Sequence, residues 1–392
     1  MSRVDELITE LCPSGVEFKP LGDIAELVRG NGMPKIDLVE QGVGAIHYGQ
    51  IYTRYGIWAT ETLSFVTPET AVKLAKANPG DIIITNTSEN LEDVSKAVAW
   101  LGAEQIVTGG HATVIRHNQN SKYLSYWFAS EAFSNQKRKL ATGTKVIDVS
   151  AKQLAKIRIP VPPPEVQAEI VRILDQFTQL EAELEAELEA RQRQYEHYRS
   201  SLVRATQMGT KYSLGEIEDR GIVKLGRGKV ISKITLAECP GGYPVYSSSG
   251  AGSGEFGRYG LYMFEDERIT WSVDGGGRFF YRHPHRFSVT NVSGWMTVDT
   301  SVFRVKYLYY VLTVLWEAQS FDYTRKAHPS VIRDVYEIAI PSLETQDEVI
   351  ALLDKFDALV NDIGVGLPAE LTARRAQYEF YRNELLAFKE RS

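Results

Sequence analysis

The chain has 392 residues, 43% of them hydrophobic and 24% charged, with a net charge of −6, a composition that fits an ordinary globular protein of two or three domains. No run approaches the roughly 18 apolar residues of a membrane span, and the start Met1-Ser-Arg-Val-Asp-Glu6 has neither a basic nor an apolar leader segment, so the cytoplasm is the expected location. Two cysteines, Cys12 and Cys239, each before a proline, exclude a disulfide framework and a CxxC zinc site, and no metal is expected.

In chain order, a short helix at about Val4 to Leu11 opens the first of four segments: 1–159, 160–205, 206–340 and 341–392. Residues 21–159 read as mixed α/β, with short apolar runs such as Asp81-Ile-Ile-Ile84 between Gly- and Asn-rich turns, closed by a helix at about Lys122 to Leu140. After Pro160-Val-Pro-Pro-Pro164 the apolar spacing turns to three and four: Ile170, Ile173, Leu174, Phe177, Leu180, Leu184, Leu188, Tyr195, Tyr198 and Leu202. That spacing predicts one amphipathic helix of about 38 residues, roughly 55 Å long. Within it, Leu180-Glu-Ala-Glu-Leu184-Glu-Ala-Glu-Leu188 is a four-residue repeat. Each such unit adds about 6 Å of helix, so helix length can act as a ruler.

Residues 214–340 again read as mixed α/β, with strands expected at Arg268-Ile-Thr-Trp271 and Arg286-Phe-Ser-Val289 and a closing helix at about Val305 to Gln319. A second long helix, from about Thr345 to Lys389, carries Val349, Leu352, Leu353, Phe356, Leu359, Ile363, Leu371, Tyr378, Tyr381 and Leu385, with a break expected between Gly364 and Pro368.

The chain is a tandem duplication. Arg191-x-x-Gln194-Tyr195-Glu196-x-Tyr198-Arg199 recurs as Arg374-x-x-Gln377-Tyr378-Glu379-x-Tyr381-Arg382, and Glu165, Gln167, Glu169, Leu174, Asp175, Phe177 and Leu180 recur as Glu344, Gln346, Glu348, Leu353, Asp354, Phe356 and Leu359. The domains repeat faintly, through Leu21-Gly22-Asp23-Ile24 against Leu214-Gly215-Glu216-Ile217 and Arg29-Gly30-x4-Lys35 against Arg227-Gly228-x4-Lys233. Helices kept alike with divergent domains between them imply one shared job for the helices and different reading jobs for the domains. The two long helices are expected to pack antiparallel, with the N-terminal segment beside the end of the last helix.

Charge follows the same division. Residues 160–205 carry 9 acids and 5 bases and residues 341–392 carry 10 and 6, so the helices hold −8 and the remainder +2. A near-neutral body with basic loops can touch DNA, though partner proteins are then implied. Candidate DNA contacts in the first domain are Arg29, Lys35, Tyr48, Gln50, Tyr52 and Arg54, with Lys137, Arg138 and Lys145 near its end. Those in the second are Ser247, Ser248, Ser249, Arg258, Tyr259, Arg278, Tyr281 and Arg282, with Lys326 and His328 near its end. Arg, Lys and Gln suit base edges, whereas Ser and Tyr hydroxyls suit phosphates; for each residue taken singly, a solvated loop or half-buried ring is the competing reading.

Catalytic signatures are missing. Gly252-Ser-Gly254-Glu-Phe-Gly257 fits GxGxxG, but no helix follows to hold a pyrophosphate, and GxxxxGK[ST], HExxH and GxSxG do not occur. No Asn-Pro-Pro-Tyr-like methyltransferase motif or nuclease carboxylate-lysine pattern stands out, so no catalytic residue is assigned. A coiled-coil interaction scaffold without a DNA role is the alternative, and an enzyme acting alone is the remaining rival.

Over essentially its whole length the chain resembles the specificity subunit of type I restriction-modification systems. The resemblance rests on Ile157-x-Ile-Pro160 with Glu165-x-Gln167-x-Glu169-Ile170 and Leu174-Asp175-x-Phe177, on the second copy at Ile338-x-Ile-Pro341 with Glu344-x-Gln346-x-Glu348-Val349, and on the repeated Arg-x-x-Gln-Tyr-Glu-x-Tyr-Arg. Tyr243-Pro-Val-Tyr246 and Trp271-Ser-x-Asp274-Gly275 are similar to stretches of that family's recognition domains. The resemblance implies an α+β fold: two mixed α/β target-recognition domains joined by two long antiparallel coiled-coil helices in a pseudo-twofold, circular arrangement. It further implies that each domain reads half of a bipartite, asymmetric site in double-stranded DNA through the major groove. Two modification subunits that bind S-adenosylmethionine and methylate adenines would dock on the helices, and motor-nuclease subunits can then join. No cofactor is expected on this chain itself.

Overall fold

The structure, a computed structural model, describes residues 3–249, 252–322, 324–361, 364 and 366–391. The chain forms two compact units, Met1–Leu184 with Leu371–Ser392, and Glu185–Glu370. Each unit therefore draws a stretch of helix from both copies of the repeat.

In the first unit, strand Ala25–Arg29 pairs with Ala112–His117, which pairs with Ile82–Thr85, then Ala97–Trp100, all antiparallel; Trp58–Ala59 adds a parallel edge. A second sheet runs Ser64–Val66, Val43–Ile46, Ile106–Thr108, Ala75–Ala77. The second unit repeats the plan. Val223–Arg227 pairs with Ser293–Val298, then Arg268–Ser272, then Phe279–Arg282, and the smaller sheet runs Glu255–Tyr259, Tyr243–Tyr246, Ser288–Val289. Each small sheet contains one parallel pairing, Val43–Ile46 with Ile106–Thr108 and Tyr243–Tyr246 with Ser288–Val289. The domains thus share a topology that their sequences barely share, because a sheet needs only alternating burial and not particular side chains.

Several expected boundaries move. The strand expected from Arg286 begins only at Ser288, since the Arg286 guanidinium turns out to Tyr243 and Glu265. The first closing helix is two, Ser121–Phe128 and Glu131–Leu140. Ser130 separates them by accepting from the Phe133 N–H, as an N-cap does. The second is Val305–Trp316. The first long helix runs Pro164–Thr206, 43 residues and about 65 Å. The second is broken, as its Gly and Pro predicted, into Leu343–Asn361 and Leu367–Leu385; Ile363, expected on its apolar face, lies outside the described residues.

The repeated helix residues are the bolts of each unit. Buried Gln167 accepts the Asn120 N–H at 3.0 Å and donates to the Pro162 carbonyl at 2.8 Å. Gln346 accepts the Arg304 N–H at 2.8 Å and donates to the Val302 and Pro341 carbonyls at 2.9 and 3.0 Å. Asp175 takes the Tyr126 hydroxyl and the Lys122 ammonium, each at 2.7 Å, and Asp354 takes Tyr310 and Lys306 at the same distances. The two glutamines are buried and have to be paired, and with the partly exposed aspartates they fix how the closing helix lies on the long helix. The Tyr-Arg block completes the exchange: Tyr381 stacks on Phe177 at 5.4 Å in the first unit, and Tyr198 on Phe356 at 5.5 Å in the second. With Arg375 reaching Glu181 at 2.6 Å, the first pair runs antiparallel.

The N-terminal helix Arg3–Leu11 buries Val4 and Leu7 in the core that contains Leu386. Val16 then bridges Glu390, with Val16 N–H donating to the Lys389 carbonyl at 2.9 Å, so the two ends of the chain are zipped together within the first unit. Among the described residues no helix is long and apolar enough to cross a membrane.

Candidate nucleic-acid interface

Both domains build a loop cluster in the same way. The strand Ala25–Arg29 ends where the Arg29 guanidinium donates to the Gly110 carbonyl at 3.4 Å, and Asn31 bridges Gly109. In the second unit Arg227 donates to the Asn291 carbonyl, Nε at 2.9 Å, and Lys229 bridges Thr290. The following glycine is required by space: a Cβ at Gly30 would lie 2.0 Å from the Gly109 oxygen, and at Gly228 2.1 Å from the Val289 oxygen. The repeated Arg-Gly therefore roots a loop that ends in exposed Lys35 or Lys233.

Around the first root, residues 30–35 with His47, Tyr48, Gly110 and His111 line one cleft, and Tyr52 with Thr87–Asn90 line a second that shares Tyr48 and His111. His47 caps the helix Tyr48–Thr53, and Gln50 completes the capping box. Tyr48 sits 4.5 Å from the His47 ring and 4.7 Å from the His111 ring. Thr87 Oγ1 lies 2.9 Å from His111 Nδ1, and Thr87-Ser88 pairs with Ile147-Asp148, just beyond exposed Lys145. The result is an aromatic wall with Lys35 on one side and Glu89 and Asp93 on the other, suited to stacking and hydrogen bonding with base edges and, at Lys35, to phosphate contact.

In the second unit, loops 227–233, 246–249, 272–277, 291 and 326–328 converge. Arg227 Nη1 lies 3.3 Å from His328 Nε2, and Lys326 pairs with Asp274 at 3.1 Å. Ser247 Oγ accepts from Thr290 Oγ1 at 3.0 Å, and the Ser248 carbonyl abuts Gly275. Trp271 Nε1 donates to the Ala327 carbonyl at 2.8 Å, which locks the 326–328 turn to the sheet.

The candidate residues divide accordingly. Lys35, Arg54, Arg138, Lys145, Ser249 and Arg278 are exposed, Tyr48, Ser247, Ser248 and Tyr259 are partly so, and exposed Arg258 is paired to Glu255 at 3.1 Å. Two are buried, Lys137 and Arg282, and three partly exposed ones, Gln50, Tyr52 and Tyr281, have their polar tips bound within the fold. Lys137 is 5% exposed, and its ammonium donates to the Glu92 and Val94 carbonyls at 2.8 and 2.7 Å; burial pulls its pKa down to about 8. Those carbonyls lie just before Ser95, whose φ of 62° is costly for a residue other than glycine, so Lys137 holds a strained turn and not a phosphate. Arg282 is buried with its guanidinium 3.5 Å from the Tyr246 ring centre and Nε on Thr270 at 2.9 Å, and burial pulls its pKa down to about 10. Gln50 is occupied by its cap and by Ser64 at 2.6 Å. The Tyr52 hydroxyl donates to the Thr87 carbonyl, and burial pushes its pKa up to about 12; the Tyr281 hydroxyl donates to Glu267. In each case a long amphipathic side chain turned inward, which charge and aromatic content alone do not reveal.

His111 and the Thr87–Asn90 loop were missed by sequence reasoning. The Gly109-Gly110-His111 turn between two apolar runs was the available signal.

Fold and site together define a binding protein: two sheet domains that each present a basic, aromatic loop cluster, held by repeated helices. The model of the type I restriction modification DNA specificity domain matches residues 13–190 and 214–373. A putative type I specificity subunit of Mycoplasma pneumoniae is 33% identical over 236 residues, covering 58% of this chain and 92% of its own length. One from Haemophilus influenzae is 25% identical over 401 residues, 96% of each chain. Among solved structures, the type I S subunit of M. genitalium matches at a TM-score of 0.53 with 15% identity over 95% of this chain and 96% of that one. A chain from a study of complex assembly and conformational transition of the type I R-M system matches at 0.64 with 16% identity, over 95% and 97%. The chain belongs to the type I restriction-modification DNA specificity family. As a member it serves DNA-sequence recognition in a restriction-modification system and is not itself the catalyst; the scaffold reading without a DNA role finds no support among these relatives.

Proposed function

We propose that each loop cluster reads one half of a bipartite, asymmetric site in double-stranded DNA, and that two modification subunits carrying S-adenosylmethionine methylate an adenine in each half. The observation that carries this reading is the equivalent rooting of both loop clusters, through Arg29-Gly30 and Arg227-Gly228, on domains whose remaining loop residues differ. The same root with different tips is what two readers of different half-sites need. Motor-nuclease subunits join the same complex, and the cytoplasm is the compartment in which it meets DNA.

Co-expression with the neighbouring modification subunit, followed by base-resolved mapping of methylated adenines in plasmid DNA, tests it. A two-part motif with one fixed gap is the expected result. A stable complex that leaves DNA unmodified, or methylates without a gapped motif, would sink the proposal.

The corrected roles separate two lysines. Lys145→Ala should weaken DNA binding equally for all sequences and reduce the slope of log affinity against log salt by about 0.9, the value for one lost phosphate contact. Lys137→Met should leave that slope alone and lower stability by about 2 kcal/mol, because two carbonyls lose their donor. Equal salt slopes for wild type and Lys145→Ala would remove Lys145 from the interface.

A further inference from the structure

The Arg-Gly-x4-Lys repeat extends by one residue: Lys35 is followed by Ile36 and Lys233 by Ile234. Ile36 is 89% exposed and Ile234 70%. Each sits in the first turn of a short helix, Lys35–Asp37 or Lys233–Glu238, at the tip of a loop rooted by the arginine and glycine described above. A lone exposed isoleucine needs no explanation. Two nearly bare isoleucines at matching positions, in domains whose loop residues otherwise diverge, are harder to assign to chance. Packing does not account for them, because neither side chain is buried against its own unit. Both stand beside an exposed lysine, so an occupant would be apolar where it meets the isoleucine and anionic alongside.

Duplex DNA has that chemistry in its major groove, where the thymine 5-methyl is the one apolar group on a base edge and phosphates line the rim. Resting on the proposed DNA reading, we infer that Ile36 and Ile234 are specificity-determining residues that pack on thymine methyl groups, one in each half-site, with Lys35 and Lys233 on the adjoining phosphates. Every half-site holding a target adenine has a thymine opposite it, so a methyl is present in each half. Exposed Val230, beside Lys229 on the second loop only, widens the apolar tip there.

The test uses the assembled complex with its modification subunits and a duplex containing the mapped site, in which each thymine is replaced in turn by deoxyuridine. That change removes one methyl and nothing else. Wild type should lose about fourfold in affinity at one thymine in each half, the equivalent of one buried methyl group. Ile36→Ala should abolish the sensitivity in one half only, and Ile234→Ala in the other only. Lys35→Ala should lower the salt slope while the deoxyuridine profile stays as in wild type, which separates methyl contact from general weakening. If wild type binds its site but both isoleucine variants keep the wild-type deoxyuridine profile, the inference is overturned. It is also overturned if the variants lose affinity with no change in that profile, since the isoleucines would then act as wedges between base pairs. A complex that shows no site-specific binding at all would instead bring down the proposed function beneath it.

Discussion

Gln346→Leu is expected to loosen the second unit by about 3 kcal/mol while leaving the first untouched. The side chain is 0% exposed and makes three hydrogen bonds, one accepted from the Arg304 N–H and two donated to the Val302 and Pro341 carbonyls. Leucine fills nearly the same volume but satisfies none of them. Each orphaned buried group costs about 1–3 kcal/mol, and some relaxation toward solvent keeps the total below the full sum. A whole-chain melt would blur the effect, because two units need not unfold together. Native-state hydrogen exchange resolves it. Amides of Val305–Trp316 and Leu343–Asn361 should exchange on the order of a hundredfold faster, those of Ser121–Phe128 unchanged. The mirror substitution Gln167→Leu should reverse the pattern. Uniform loosening of both units by either variant would show that these glutamines do not act as local bolts.

Gln346 also shows what was legible in the sequence. The repeat itself, the long helices and a break in the second of them near Gly364 followed from spacing, since apolar periodicity is set by the helix and survives without any knowledge of partners. That Gln167 and Gln346 recur was visible too, but not why: their partners are backbone groups of a different segment, which no one-dimensional pattern exposes. The candidate site came through in part. Lys35, Tyr48 and Lys145 lie at the loop cluster, whereas Lys137 and Arg282 are buried and the polar tips of Gln50, Tyr52 and Tyr281 are bound by neighbouring groups. A lysine or tyrosine has the same letter whether its stem carries the polar tip outward to phosphate or inward to a carbonyl, and local sequence does not decide between the two. His111 went unnoticed for the opposite reason: it stands alone in sequence and meets Tyr48 and Thr87 only through sheet pairing.

The same sheet makes the first unit sensitive to acid. His117 ends the strand Ala112–His117, with its Nδ1 accepting the Gln119 N–H at 3.1 Å and its Nε2 buried without a hydrogen-bond partner. Burial disfavours the imidazolium and pulls the pKa from 6.5 down to about 4. Because the folded pKa lies below the unfolded one, the unfolded chain binds the extra proton first. The contribution to stability is complete above about pH 6.5 and is lost as pH falls from there through 4, for a total of about 3 kcal/mol. His117→Phe keeps a ring but cannot protonate. At pH 7 it should be the less stable protein, having lost the acceptor for the Gln119 N–H; by pH 4.5 the difference should vanish or invert, since only wild type has the proton to accommodate. Comparing the two by chemical unfolding of the first unit cancels every other titrating group. Parallel pH profiles, or a His117 ring resonance that titrates near 6.5, would refute the burial argument. The strand runs from this histidine back to Ala112, next to Gly110 and His111, and pairs along its length with Ala25–Arg29. Protonation at one end therefore weakens the ladder that supports both reading loops at the other, so specific DNA binding by the first domain should fail at a higher pH than that by the second.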